Sequence, residues 1–113
     1  MLIEERVKGF LDAEFADDEI KVCLEIPKDI PSSFVVFQLI GGSRENLIDA
    51  CTLEFRSYAP SKYEAALLDE KVRDAMDKLN ETTDITTQLG GRNDNPDTVL
   101  KRYRYRCYYN LFY

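Results

Sequence analysis

The residues best equipped for chemistry lie near the end of the chain. There Arg102, Arg104 and Arg106 alternate with Tyr103, Tyr105 and Cys107 and are followed by Tyr108 and Tyr109. Guanidinium groups pair with carboxylates and phosphates through parallel N–H donors, and they also stack on aromatic faces. Such a run is able to bind single-stranded nucleic acid by stacking plus phosphate contact. On an extended strand, however, alternate residues point to opposite faces. Tyr103, Tyr105, Cys107, Tyr109 and Leu111 then share one face, and Arg102, Arg104, Arg106 and Tyr108 the other. The favoured reading is a sheet strand with a core-facing aromatic row and an arginine row pairing Glu54 or Glu25 on a neighbour. Its aromatic end also suits a subunit contact, where Tyr and Arg are enriched.

Elsewhere the sequence offers little catalytic chemistry. It contains no histidine, which removes the usual general base near neutral pH and the commonest metal ligand. A Ser–His or Cys–His nucleophile pair is therefore impossible within one chain. Cys23, Cys51 and Cys107 are odd in number and far apart, with no Cys-x-x-Cys pair. They read as buried small hydrophobes rather than as disulfide or zinc ligands. The expectation is no enzyme activity, no cofactor and no metal. A small carboxylate- and metal-dependent hydrolase or nuclease is the weakest alternative, since no paired-carboxylate motif supports it.

Three loop-like segments invite sharper readings. Gly41-Gly42-Ser43-Arg44 resembles a phosphate loop, but such a loop requires a Gly-Lys-Ser/Thr step into a helix, and here a strand follows. A hairpin turn is the simpler reading, and Gly90-Gly91-Arg92 is read the same way. Asn93-Asp94-Asn95 with Asp97 lacks the glycine and the bidentate glutamate of a calcium loop.

The elements that must position these residues follow from periodicity. Ile3, Val7, Phe10, Leu11 and Phe15 form one helical stripe, with Asp17-Asp18 at the exit. Ile20 to Ile26 alternates as a strand with Ile20, Val22, Leu24 and Ile26 facing the core, and Pro27 and Pro31 bracket a turn. Phe34 to Ile40 is nearly continuous apolar sequence interrupted only by Gln38, as expected of a central strand covered on both sides or of one meeting a partner. A turn at residues 41–46 leads to a strand from Leu47 to Tyr58. Ser61 and Glu64 form a capping box for a second helix, whose buried stripe is Ala65, Leu68, Val72, Ala75, Met76 and Leu79. Lys62, Asp69, Lys71, Asp74 and Lys78 fall mostly outside that stripe. A polar stretch with some β propensity around Ile85, a loop over residues 90–97 and a strand from Leu100 to Tyr113 complete the chain.

The predicted fold class is α+β: a mostly antiparallel or mixed β-sheet of four to five strands with two α-helices packed on it, in the order α-β-β-β-α-β-β. At 113 residues the chain is a single domain over 1–113, long enough for an independent core. Fifteen basic against twenty-one acidic residues give a net charge of -6, which disfavours general affinity for polyanions. No apolar run approaches bilayer length and no signal peptide is evident, so residence in a reducing cytoplasm is expected.

The order of these elements resembles the tail terminator (tail completion, or head–tail joining) proteins of long-tailed bacteriophages and prophages. The resemblance rests on the N-terminal helix, the Pro27-to-Pro31 stretch, the apolar strand Phe34-Val35-Val36-Phe37, the Gly41-to-Asn46 turn, and Leu47 to Phe55. An amphipathic helix and a last strand follow these. The resemblance implies a structural subunit forming a homo-oligomeric ring, a hexamer, that caps the tail tube and meets the head connector. The partners implied are the protein itself, tail tube and head-connector proteins, with no membrane and no specific nucleic acid binding. The location implied is the virion tail, after assembly in the bacterial cytoplasm. Phe34, Val36, Arg44, Glu45, Arg92, Tyr108 and Phe112 are the candidate interface residues. The alternative function is a nucleic-acid-binding module using the Arg/Tyr strand.

Overall fold

The structure, a computed structural model, describes residues 2–18, 20–45, 48–94, 98 and 102–113, except the side chain of Glu45. Helix α1 spans Ile3–Glu14 and helix α2 spans Lys62–Thr82. Strands β1 (Lys21–Cys23), β2 (Phe34–Glu45), β3 (Ile48–Ala59), β4 (Thr86–Asp94) and β5 (Tyr103–Phe112) form one sheet in the order β1-β2-β3-β5-β4. Only β1 and β2 run parallel; every other pair is antiparallel. The fold is α+β with a mixed sheet, in the element order expected from the sequence.

Local chemistry accounts for both helices. In α1, Ile3, Val7 and Leu11 recur every fourth residue and are all buried, so one stripe faces the sheet. Glu4 and Glu5 occupy its first turn, where negative charge complements the helix dipole. At the start of α2, Ser61 Oγ accepts from the Glu64 backbone N–H at 3.2 Å, satisfying one orphan donor. At its end, the Thr83 backbone N–H donates to the Leu79 carbonyl at 3.1 Å.

Both helices contribute to one core against one face of the sheet. Val7, Leu11, Leu68, Val72, Met76 and Leu79 meet Val22, Val35, Phe37, Leu53, Phe55, Tyr109 and Leu111 there. Phe37 and Phe55 stack at 5.3 Å between centroids, and Tyr109 approaches Phe55 edge-on at 6.1 Å. Such offset and edge-on pairs add to the hydrophobic gain of burying the rings. A smaller cluster of Cys23, Phe34, Val36 and Tyr58 lies on the opposite face.

Several boundaries differ from the sequence expectation. Strand β1 stops at Cys23, leaving Leu24 and Ile26 exposed rather than in the core. Because β1 and β2 are parallel, residues 24–33 form a crossover rather than a tight reversal. The expected turn at 41–46 is instead strand through Glu45, and Asn46 lies outside the described residues. Likewise, Gly90, Gly91, Arg92, Asn93 and Asp94 belong to β4 rather than to a loop. Both glycine pairs sit at register shifts, between Leu39 and Gly41 and between Leu89 and Gly91. A bulge accommodates an extra residue without ending the strand, and a local glycine signal does not distinguish it from a turn. The last strand begins at Tyr103; Leu100, Lys101 and the Asn95–Asp97 part of the expected calcium-like segment lie outside the described residues.

Candidate interaction surface

The pleat of β5 divides its residues as the alternation requires. Cys107, Tyr109 and Leu111 enter the helix-covered core. Tyr103 is exposed and Tyr105 only half-buried, so the expected core-facing aromatic row holds only for the second half of the strand. The paired rows across β3 and β5 place Arg104 beside Tyr58, Arg106 beside Arg56, Tyr108 beside Glu54 and Asn110 beside Thr52. These pairs occupy the sheet face that carries no helix.

A buried carboxylate organises this face. Glu54 is only 5% exposed, yet it receives a hydrogen bond from Arg56 Nε and lies 3.9 Å from Arg106 Nη1. Burying a lone carboxylate would be costly, and two flanking guanidiniums offset that cost. The guanidinium of Arg106 lies 5.3 Å from the Tyr108 ring centre, and that of Arg104 lies 5.6 Å from the Tyr58 ring centre. These are cation–π distances. Arg104 Nη1 also donates to Tyr58 Oη at 3.1 Å, and Arg106 Nε to Asn93 Oδ1 at 3.3 Å. Thr52 Oγ1 donates to Asn110 Oδ1 at 2.8 Å. Beneath this layer Phe34 and Tyr58 stack at 4.5 Å with planes 5° apart. Arg102 reaches past the end of β3 and donates to the carbonyls of Pro31 and Ser32, each at 3.0 Å. It thereby pins the crossover that precedes β2.

The opposite side of the molecule is acidic. The helix-bearing segments 2–18 and 61–84 carry thirteen carboxylates against six cations. Among the described side chains of β3 and β5, the helix-free face presents Arg56, Arg104 and Arg106 around Glu54. The net charge of -6 is therefore distributed unevenly, with an arginine face set against an acidic helix layer.

A second polar centre lies between α2 and the sheet. Asp69 is wholly buried, which departs from the expected placement outside the α2 stripe. Its Oδ2 accepts from Arg73 Nε and Arg92 Nε, both at 3.2 Å. Burial, reinforced by the Asp69 carboxylate, pushes the neighbouring Cys107 thiol far above its ordinary pKa. Burial likewise raises Cys23 and Cys51. These thiols are held neutral, the opposite of what an activated nucleophile requires. Among the described residues no three His, Cys, Asp or Glu side chains come together as a metal cluster, and no helix is long and apolar enough to cross a membrane.

The seven candidate interface residues do not form one patch. Phe34 and Val36 are interior, in the small cluster with Tyr58, so their side chains offer no surface. Arg44 is exposed near the β2–β3 end and faces Asp49 at 3.6 Å. Glu45 is the last residue of β2. Arg92 points to the helix-bearing face, toward Asp69. Tyr108 and Phe112 share the helix-free face, with Tyr108 half-buried and Phe112 exposed. The expected pairing of the arginine row with Glu54 is present, whereas Glu25 lies exposed in the crossover. Arg56 and Tyr58 were missed, although Glu54-Phe55-Arg56-Ser57-Tyr58 alternates and marks a second polar and aromatic row.

Comparison of the sequence with protein-family models and with curated proteins gives no match. Beyond the fold class, the functional reading therefore rests on the surface itself.

Proposed function

We infer that this chain is a structural subunit that acts by assembling with copies of itself and docking onto other proteins, in the manner of a phage or prophage tail terminator. The observation that carries the reading is the polarity of the molecule: an acidic helix layer backs one face of the sheet, and an arginine–tyrosine surface occupies the other. A subunit with different front and back favours heterologous contacts, which close into rings when the rotation permits. The arginine face is built on a buried, paired glutamate and half-buried side chains. Such a surface loses little side-chain entropy on docking. The buried neutral thiols and the lack of histidine also fit a role without catalysis. In this setting a ring, a hexamer by the resemblance, caps the tail tube and meets the head connector.

The test is light scattering after size exclusion, together with cosedimentation on purified tail tubes. A ring mass and tube binding are the expected results. A chain that stays monomeric and ignores tubes overturns the reading.

A nucleic-acid-binding role draws support from Arg104, Arg106 and Tyr108 on the same helix-free face. Against it, guanidiniums already lie over the Tyr58 and Tyr108 rings, which leaves those faces poorly placed for base stacking. Titration with labelled single-stranded DNA at low and high salt separates the two, since phosphate contacts strengthen at low salt.

A further inference from the structure

The two edges of the sheet match in direction and share one level over most of their length. Strand β1 covers only Phe34, Val35 and Val36 of the outer side of β2. Among the described residues no strand pairs the outer side of β2 from Phe37 to Glu45, or the outer side of β4 from Thr86 to Asp94. Arg92, Cys107, Phe55 and Phe37 form one row, so Thr86 to Arg92 lies level with Phe37 to Ser43, whereas Asn93 and Asp94 lie level with Val36 and Val35 under β1. A strand edge of this kind presents a row of backbone donors and acceptors to whatever can pair with it.

Direction also matches. Strands β2, β3, β5 and β4 alternate in sense across the sheet. If β2 runs up, β4 runs down, so a second copy set beside the first in the same orientation brings its β2 antiparallel to β4. The same faces then remain on the same side, and the alternation continues unbroken from copy to copy.

Level is fixed by the register. Leu39 pairs with Leu53, Leu53 with Tyr109, and Tyr109 with Leu89, giving one row across four strands on the helix-bearing face. The two inner members are buried, while Leu39 and Leu89, at the two open edges, are 44% and 43% exposed. Both bulges flank this row. Bulges blunt an edge against indiscriminate pairing and favour a partner with a matching bend.

We propose that copies of this chain join edge to edge, the outer side of β4 from Thr86 to Arg92 in one pairing antiparallel with the outer side of β2 from Phe37 to Ser43 in the next. Leu89 then packs beside Leu39 of the neighbouring copy and continues the apolar row across the junction. Because the two edges differ, the contact is heterologous and propagates in one direction, as ring closure needs. The proposal rests on the self-assembling reading above and names its interface.

The test uses charge at the two leucines, which lie about 14 Å apart within one subunit, three strand spacings. Leu39→Lys and Leu89→Glu are each expected to reduce the assembly to monomers by light scattering, with unchanged circular dichroism. The double variant L39K/L89E is expected to reassemble, because each lysine meets a glutamate of the next copy but cannot reach its own. Hydrogen exchange on the unmodified protein should show protection of the outward-pointing amides within 37–43 and 86–92 that disappears in the single variants. Single variants that retain the assembled mass overturn the edge contact while leaving self-assembly intact. Failure of the folded double variant to reassemble also overturns it. An unmodified chain that is monomeric at every concentration overturns both readings.

Discussion

Asp69 of α2 and Arg92 of β4 meet at 3.2 Å across the helix–sheet boundary, with the carboxylate wholly removed from solvent. Arg73, one helical turn along α2, reaches the same oxygen at the same distance. One buried charge thus ties the second helix to the outermost strand. Removing one arginine leaves the other to compensate, whereas removing both strands a buried carboxylate. Arg73→Met and Arg92→Met are each expected to cost about 1 kcal/mol, and the double variant about 3–5 kcal/mol. Urea unfolding of the four proteins in a double-mutant cycle measures the excess; simple additivity would show that the carboxylate is not held by the pair.

Glu54 is the counterpart on the helix-free face. Glu54→Gln keeps the shape but removes the carboxylate charge that Arg56 and Arg106 share. The expected loss is about 1–3 kcal/mol, larger at low salt because screening relieves the repulsion. Thermal unfolding at two ionic strengths reads both the loss and its salt dependence.

Proton linkage predicts weakness at high pH. Burial raises the thiols of Cys23, Cys51 and Cys107 and the phenols of Tyr109 and Tyr113 above their ordinary values. A raised folded-state pKa means that the unfolded chain releases protons first as pH rises. Stability is therefore full below about pH 9 and falls above it, through the range where unfolded Cys and Tyr ionise. Urea midpoints from pH 7 to 11 should decline, and thiol-reagent labelling at pH 8 should track global unfolding. Rapid labelling of all three cysteines in the folded protein would contradict their burial.

At the acid end, the hydrogen bond that Asp84 accepts from Arg6 at 2.6 Å lowers the Asp84 pKa. The stabilisation is present above the unfolded value near 4 and is lost as pH falls through the lower folded value. Arg6→Ala should flatten the stability profile in that window while changing little at high salt. Since both partners are solvent-accessible, the effect is expected to be small.

Ser61 offers a local control. Ser61→Ala removes the acceptor for the Glu64 backbone N–H and should cost about 1 kcal/mol. Its effect should add to that of Glu54→Gln if the cap and the arginine face are independent, as thermal unfolding of the pair would show.

Alternation and helical spacing were legible in the sequence because they are local. The period of two put Tyr109 and Leu111 on one face and Arg104 and Arg106 on the other before any strand was paired. The period of 3.6 and the Ser61 cap likewise located α2. Bulge and turn use the same glycines, so Gly41-Gly42 and Gly90-Gly91 became distinguishable only through the strands opposite them. The burial of Asp69 was hidden for a related reason: its partner Arg92 comes from a strand that sequence alone read as a loop. The matching open edges at Leu39 and Leu89 depend on strand order, which is decided by long-range packing rather than by any local preference. Sequence determined which side of each element is apolar; only the tertiary structure decided which polar groups those elements bring together and which edges remain open.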